Sequence, residues 1–236
     1  MVSSPLNIER QTQVETVVYP CSDGEPVAES YLHFYALLVT LEVLKQYLDG
    51  QQATVLANQF LYYSQGFPRL RVAPDVMVIF GVEPGGRDSY KIWEEGETPS
   101  VIFEMTSQST RSKDETFKKM LYAQLGVQEY WLFDPKGEWL TPQLQGYRLR
   151  GALNGDLRGD RNPDLDDYEL IPDGHSDVLK LRLEADGQLI SFYRDDSGEK
   201  LLIPTELASA LAQERQRADR LEAKLRELGI DPNELF

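Results

Sequence analysis

The chain has a single cysteine, Cys21, and two histidines, His33 and His175, among 236 residues. One thiol excludes an internal disulfide and any cysteine-built zinc site, and it fits a reducing compartment. Two isolated histidines leave little from which to build a Ser-His-Asp site. No apolar run approaches ~18 residues, so no membrane-spanning helix is predicted. The Met-Val-Ser-Ser-Pro start lacks an apolar signal core, and the expectation is a soluble, cytoplasmic protein. Basic residues are also scarce: 24 Lys and Arg face 39 Asp and Glu, for a net charge of −15. Such a balance argues against holding nucleic acid by bulk charge. The deficit is uneven, however. Residues 156–200 carry 13 acids and 6 bases, whereas residues 101–128 carry 3 acids and 4 bases. The glycines of Pro84-Gly85-Gly86 are not a phosphate loop, because no Gly-Lys-Ser/Thr follows.

What is present is a set of short apolar runs with acids in or beside them. Val76–Phe80, Val101–Met105 and Tyr130–Phe133 are rich in β-branched and aromatic residues and read as buried central strands. Asp75 stands at the start of the first and Glu104 inside the second. An acid in such a run costs several kcal/mol unless it is paired or binds a metal. Between the second and third runs, Ser112 and Glu115 have capping-box spacing. A helix is predicted from there to Leu125, with Phe117, Leu121 and Leu125 on its apolar face and Gly126 as its stop. Strand, helix and strand over about thirty residues suggest a crossover packed on a sheet.

Upstream, apolar spacing predicts a helix over 28–48, with Glu29 in its first turn and His33 as a satisfied helix residue. A short strand is expected at Val14–Tyr19 and another over Ala53–Tyr63. Residues 136–200 read as an acidic β accessory region, with strands near Tyr147–Arg150, Val178–Leu183 and Leu189–Tyr193. His175, beside Asp173 and Asp177, reads as an exposed loop residue rather than a ligand. Leu207, Leu211, Ala218, Leu221, Leu225 and Leu228 recur in steps of three and four. They suggest a coiled-coil-like helix over 204–229 that pairs with another subunit or docks on the body. The predicted layout is a domain over 1–200, with its core at 28–135, followed by that helix.

If the strands of Asp75 and Glu104 are neighbours, both carboxylates reach one end of the sheet. Paired hard oxygens suit Mg²⁺ or Mn²⁺, which complete their shells with water and substrate phosphate. Such a metal polarises a phosphodiester and activates a bound water. Asp114, Lys118 and Tyr122 share one helical stripe. The stripe reads either as an ion pair on a solvated face or as part of a site in which Lys118 offsets developing charge. Glu29 likewise reads either as an acid favoured by the helix dipole or as a further site acid.

These residues carry a resemblance. Pro74-Asp75, the run Glu104 to Thr110, Lys118, Tyr122, Gly126-Val127, Glu129-Tyr130-Trp131 and Asp134-Pro135 together resemble the Uma family of putative restriction endonucleases, bacterial proteins of the PD-(D/E)XK nuclease superfamily. Asp23-Gly24-Glu25-Pro26 with Glu29, and Leu225 to Pro232, resemble that family's opening and close. The resemblance implies an α/β restriction-endonuclease-like core, a mixed sheet flanked by helices, with metal at Asp75 and Glu104. It implies Glu29 as an additional acid and DNA as the substrate. The wider nuclease pattern has a lysine two residues after the second acid, where this chain has Thr106. The resemblance implies that Lys118, on the following helix, takes that lysine's place. A metal-dependent endonuclease, a non-cutting binding or assembly module, and a hydrolase of another phosphate ester are the readings it leaves open. A homodimer is expected from the fold analogy and the C-terminal seam.

Overall fold

The computed structural model describes residues 17–22, 24, 30–150 and 168–228. Glu29 therefore lies outside the described residues, as do Asp23, Glu25 and Pro26 of the opening motif and residues 229–232 of the closing one. Its centre is a six-stranded mixed sheet in the order β1-β4-β6-β7-β8-β9. These strands are β1 (Ala53–Ala57), β4 (Val76–Phe80), β6 (Val101–Met105), β7 (Glu129–Phe133), β8 (Leu144–Leu149) and β9 (Tyr168–Ile171). Within this sheet, among the described residues, only β6 and β7 run parallel. A parallel neighbour cannot be reached by a tight turn, and here the connection is a helical rod. The rod comprises α3 (Arg111–Lys113), a π turn (Asp114–Lys118) and α4 (Lys119–Leu125), and Gly126 ends it at φ 84°.

Side chains alternate across each strand, and the two faces have different covers. Val76, Val78, Val101, Phe103, Met105, Trp131 and Phe133 pack with α1 (Tyr31–Tyr47) and with Leu181, Leu183 and Phe192 of β11 (Leu181–Asp186) and β12 (Leu189–Arg194). Met77, Ile79, Ile102, Tyr130 and Leu132 pack with Leu121, Tyr122 and Ala123 of α4. Apart from Glu104 and Glu129, the central strands β4, β6 and β7 are apolar because both faces are covered. β10 (His175–Ser176) joins β11 and β12 in one small sheet, while β2 (Leu61–Tyr62), β3 (Arg71–Val72) and β5 (Tyr90–Lys91) form another. A mixed sheet between helices fits the expected restriction-endonuclease-like core.

Several local expectations change. The strand read over Ala53–Tyr63 is broken at Asn58, whose φ of 51° turns the chain out of β1 before β2 enters a different sheet. Of the strand expected at Val14–Tyr19, residues 14–16 lie outside the described residues and residues 17–19 form no strand. The capping box at Ser112 is not made: the rod starts one residue earlier and Glu115 pairs with Arg111 at 3.1 Å. Phe117 is 42% exposed, and Asp114 and Lys118 are buried in its stead. β8 and β9 extend the central sheet rather than standing apart from it. Gly146 of β8 lies opposite Trp131, and a Cβ there would come within 2.5 Å of the indole. His175 sits between two carboxylates, Nε2 being 2.8 Å from Asp195 and Nδ1 3.4 Å from Asp177. The short α2 (Ile92–Glu95) precedes β6, and the last helix, α5 (Pro204–Glu227), buries none of its residues. No helix among the described residues is long and apolar enough to cross a membrane.

Candidate active site

The antiparallel register of β4 on β6 pairs Val76 with Phe103. One step further along, Asp75 and Glu104 lie side by side at the same end of the sheet. Asp75 Oδ2 accepts a hydrogen bond from the Met105 backbone N–H at 2.6 Å, which ties the first acid to the strand of the second. Glu104 shares its side of β6 with Ile102 and so points toward the helical rod.

There it meets the polar stripe. Lys118 Nζ lies 2.8 Å from Glu104 Oε2 and 3.0 Å from Asp114 Oδ1. The Tyr122 hydroxyl donates to Glu104 Oε1 at 2.7 Å, and the Tyr130 hydroxyl donates to the Asp114 carbonyl at 3.1 Å. The stripe is thus an internal one. The π turn is the local device: Asp114 and Lys118 are its first and last residues and its two buried ones. Such wide turns recur at functional positions in helices.

The electrostatics follow from burial. Removal from water pushes the Glu104 carboxyl well up; the Lys118 ammonium opposes that, and Asp75 and Asp114 reinforce it. Asp114 is raised for the same first reason, again against the pull of Lys118. Burial works against the charge on Lys118, yet Glu104, Asp114 and Asp75 together hold its ammonium above the ordinary range. Tyr122 is driven far up by burial and by Glu104, which keeps it a neutral donor. Three carboxylates therefore share one buried ammonium. Asp75 Oδ1 has no hydrogen-bond partner among the described residues. A surplus of buried negative charge, offered through hard oxygens, fits a divalent cation held by Asp75 and Glu104. Among the described residues no three His, Cys, Asp or Glu side chains form a ready cage.

One neighbour was missed by sequence reasoning. His33, read as an ordinary helix residue, is buried on α1 with Nε2 3.5 Å from Asp75 Oδ2. Ser30 caps α1 by accepting the His33 backbone N–H at 3.3 Å. The legible signal was spacing: His33 lies three and four residues before Ala36 and Leu37, on the stripe that α1 buries. Thr106, two residues past Glu104, is 2% exposed, and its hydroxyl has no hydrogen-bond partner among the described residues. His33 and Thr106 both line an open cleft of about 610 Å³, whose other walls are the 107–110 turn and the loop after β7.

No curated protein matches the chain. Among solved structures, it is similar to a putative nuclease of the DUF820 group from Anabaena variabilis, at 14% identity and a TM-score of 0.41, covering 64% of this chain and 72% of that one. The sequence pattern of the Uma2 family, described as putative restriction endonuclease, matches residues 13–167. That span takes in Asp75, Glu104, Lys118 and the whole β6–helix–β7 unit, and it is more than half of the chain, which therefore belongs to the Uma2 family of putative restriction endonucleases.

Proposed function

We propose that the chain is a metal-dependent endonuclease that hydrolyses phosphodiester bonds in DNA at the site built by Asp75, Glu104 and Lys118. The observation that carries this reading is the position of Lys118: its ammonium contacts Glu104 from the crossover helix, although residue 106 is threonine. A lysine there supplies the positive charge that the wider nuclease pattern draws from the strand itself. Family membership supports nuclease chemistry; the metal, the choice of DNA and the individual roles are our reading.

Asp75 and Glu104 would hold Mg²⁺ or Mn²⁺. When bound, such a cation acidifies a water and draws charge from the phosphoryl oxygens. Tyr122 donates to Glu104 and fixes the carboxylate's orientation, leaving the remaining lone pairs of that oxygen pair for the ion. Asp114 holds the other side of the Lys118 ammonium, so that the ammonium stays beside Glu104. With one Asp75 oxygen occupied by the Met105 N–H, its second oxygen is left for the ion. Lys118 offsets the negative charge that grows on the phosphate as the water attacks. Asp114 and Tyr122 are thus positioning residues. The acidic exterior acts against binding a polyanion, and the 101–128 stretch, with its slight excess of bases, is where the strand would pass.

The test is cleavage of plasmid, single-stranded DNA and RNA in Mg²⁺ and in Mn²⁺. The wild type is compared with Asp75→Ala, Glu104→Ala and Lys118→Ala at a temperature where circular dichroism shows all four folded. Loss of cutting by at least a hundredfold in each acid variant and in Lys118→Ala is expected. Cutting that persists in either acid variant would refute the site. Cutting that survives Lys118→Ala would keep the acids and remove the lysine from the mechanism. A folded, metal-binding wild type that cuts none of the three substrates would leave the non-cutting module or another phosphate ester as the function. The C-terminal helix would bring two copies together, since a leucine seam with no buried member gains by pairing.

A further inference from the structure

The open cleft beside the acids has three features that the hydrolytic site does not use. The first is the orphaned Thr106 hydroxyl. It is buried, has no hydrogen-bond partner among the described residues, and belongs to the wall of the cleft. A buried hydroxyl left unpaired costs free energy, and a ligand atom in the cleft would relieve that cost. The second is Trp139, a half-buried indole on the neighbouring loop after β7, on which no other ring stacks among the described residues. The third is Lys136, exposed at the mouth of the same cleft with no carboxylate partner among the described residues.

The loop that carries Trp139 and Lys136 is held rigidly. Asp134, fully buried at the end of β7, accepts backbone N–H bonds from Lys136 at 3.0 Å, from Leu140 at 3.1 Å and from Trp139. The Asp134 carbonyl also accepts from the Gln143 side chain at 2.7 Å. One carboxylate thus gathers three amides and turns the chain back over the end of the strand. The turn brings Lys136 and Trp139 into the lining of the cleft that Thr106 also lines. Because β6 and β7 are parallel neighbours, the loop after β7 emerges next to the loop after Glu104. The topology therefore fixes its distance from the acids.

An aromatic face, a cation and a desolvated hydroxyl around a cleft of about 610 Å³ match one nucleotide lying outside a base stack. We infer that this cleft is a subsite for a single unstacked nucleotide of a DNA strand, with Trp139 under the base, Lys136 on its phosphate and Thr106 donating to a phosphate oxygen next to the acids. The identity of the polymer rests on the nuclease reading above. The preferred substrate then has a single-stranded or extruded nucleotide at the cut, because a base held in a duplex stack cannot present its face to Trp139. Asp134 is a positioning residue for this subsite and does not touch the strand.

The experiment is equilibrium binding of fluorescein-labelled (dT)10 and of a fully paired hairpin to the full chain, read by anisotropy in Ca²⁺. The variants are Trp139→Leu, Trp139→Phe, Lys136→Gln and Thr106→Val, each checked for an unchanged melting temperature. Base–aromatic stacking predicts that Trp139→Leu weakens (dT)10 binding roughly tenfold or more and that Trp139→Phe recovers most of the loss. Lys136→Gln should lower the salt slope of (dT)10 binding by about 0.7, the value for one phosphate contact on a single strand. Hairpin binding should not respond to Trp139. Equal (dT)10 affinity in wild type and Trp139→Leu, or no (dT)10 binding by the wild type, would overturn the subsite. Turnover is not part of the readout, so the two readings fail separately. Trp139-dependent binding by a protein that cuts nothing would sink the nuclease and spare the subsite, whereas cutting with binding indifferent to Trp139 would do the reverse.

Discussion

Replacing Lys118 by methionine keeps the stem and removes the charge. The side chain of Lys118 is 11% exposed and those of Glu104 and Asp114 are each 1% exposed. Solvent therefore cannot take over the role of the ammonium, and two carboxylates are left in the interior with neutral hydroxyl donors, Tyr122 to Glu104 and Thr110 to Asp114. Removing one partner of a buried pair costs about 3–5 kcal/mol. For a chain of this size roughly 2–4 °C of melting temperature accompanies each kcal/mol, so a fall on the order of 10 °C is expected. The assay is thermal and urea unfolding in EDTA. The companion variant Lys118→Met with Glu104→Gln removes the stranded charge as well and should regain at least half of the loss. Destabilisation below about 1 kcal/mol would mean that the ion pair is effectively solvated, and the internal stripe described above would be wrong.

Other expectations follow from separate parts of the molecule. Gly146→Val should destabilise by about 1–3 kcal/mol through overpacking against Trp131, read by urea unfolding; a neutral result would show that the indole swings aside freely. Glu129 is buried at the start of β7, where it accepts hydrogen bonds from Ser176, the Val178 N–H and Trp131, with Arg148 and Asp177 nearby. Burial raises its carboxyl above the ordinary glutamate range, against the pull of those donors. The folded state then binds the proton more tightly than the unfolded chain. Its contribution to stability is greatest below the unfolded value and declines as pH rises through the raised native one. Glu129→Gln should flatten that part of the stability profile between pH 4 and 8, and parallel profiles for the two proteins would refute it. Deletion of 206–236 should convert a dimer to a monomer in light scattering while leaving the melting temperature of the body nearly unchanged; an identical mass per particle before and after would remove the pairing role of α5.

The central strands were legible because each is a short, dense apolar run with both faces covered, a pattern that leaves few alternatives. Their neighbourhood was legible only as a condition, and the observed β4–β6 register meets it. The helix between them was legible in extent but not in orientation. Spacing put Phe117 inward because an unbroken α-helix was assumed, and the π turn alters that bookkeeping without leaving a mark in local propensity. The inward turn of Asp114 and Lys118 depends on Glu104 waiting on the strand beneath, a long-range pairing that composition does not contain. His33 escaped for a similar reason, since its partner lies 42 positions away at Asp75. β8 and β9 looked accessory because Gly146 and the surrounding polar residues dilute the strand signal, yet that glycine is what lets Trp131 lie across the strand.

The wide turn in the crossover helix has a consequence for how such a site is spaced. A π turn holds one residue more than an α-helical turn occupying the same place. Removing a single residue from Asp114–Lys118 would relax the rod to ordinary pitch, and the segments on either side would keep their faces, because the wide turn takes up the extra residue locally. The change would fall inside the turn itself. Asp114 and Lys118 would stand three positions apart rather than four, on a narrower turn, while Tyr122 and the apolar contacts of α4 stayed in place. The length of this helix therefore sets how far apart the acid and the ammonium are held beneath Glu104, separately from the identity of the residues on it.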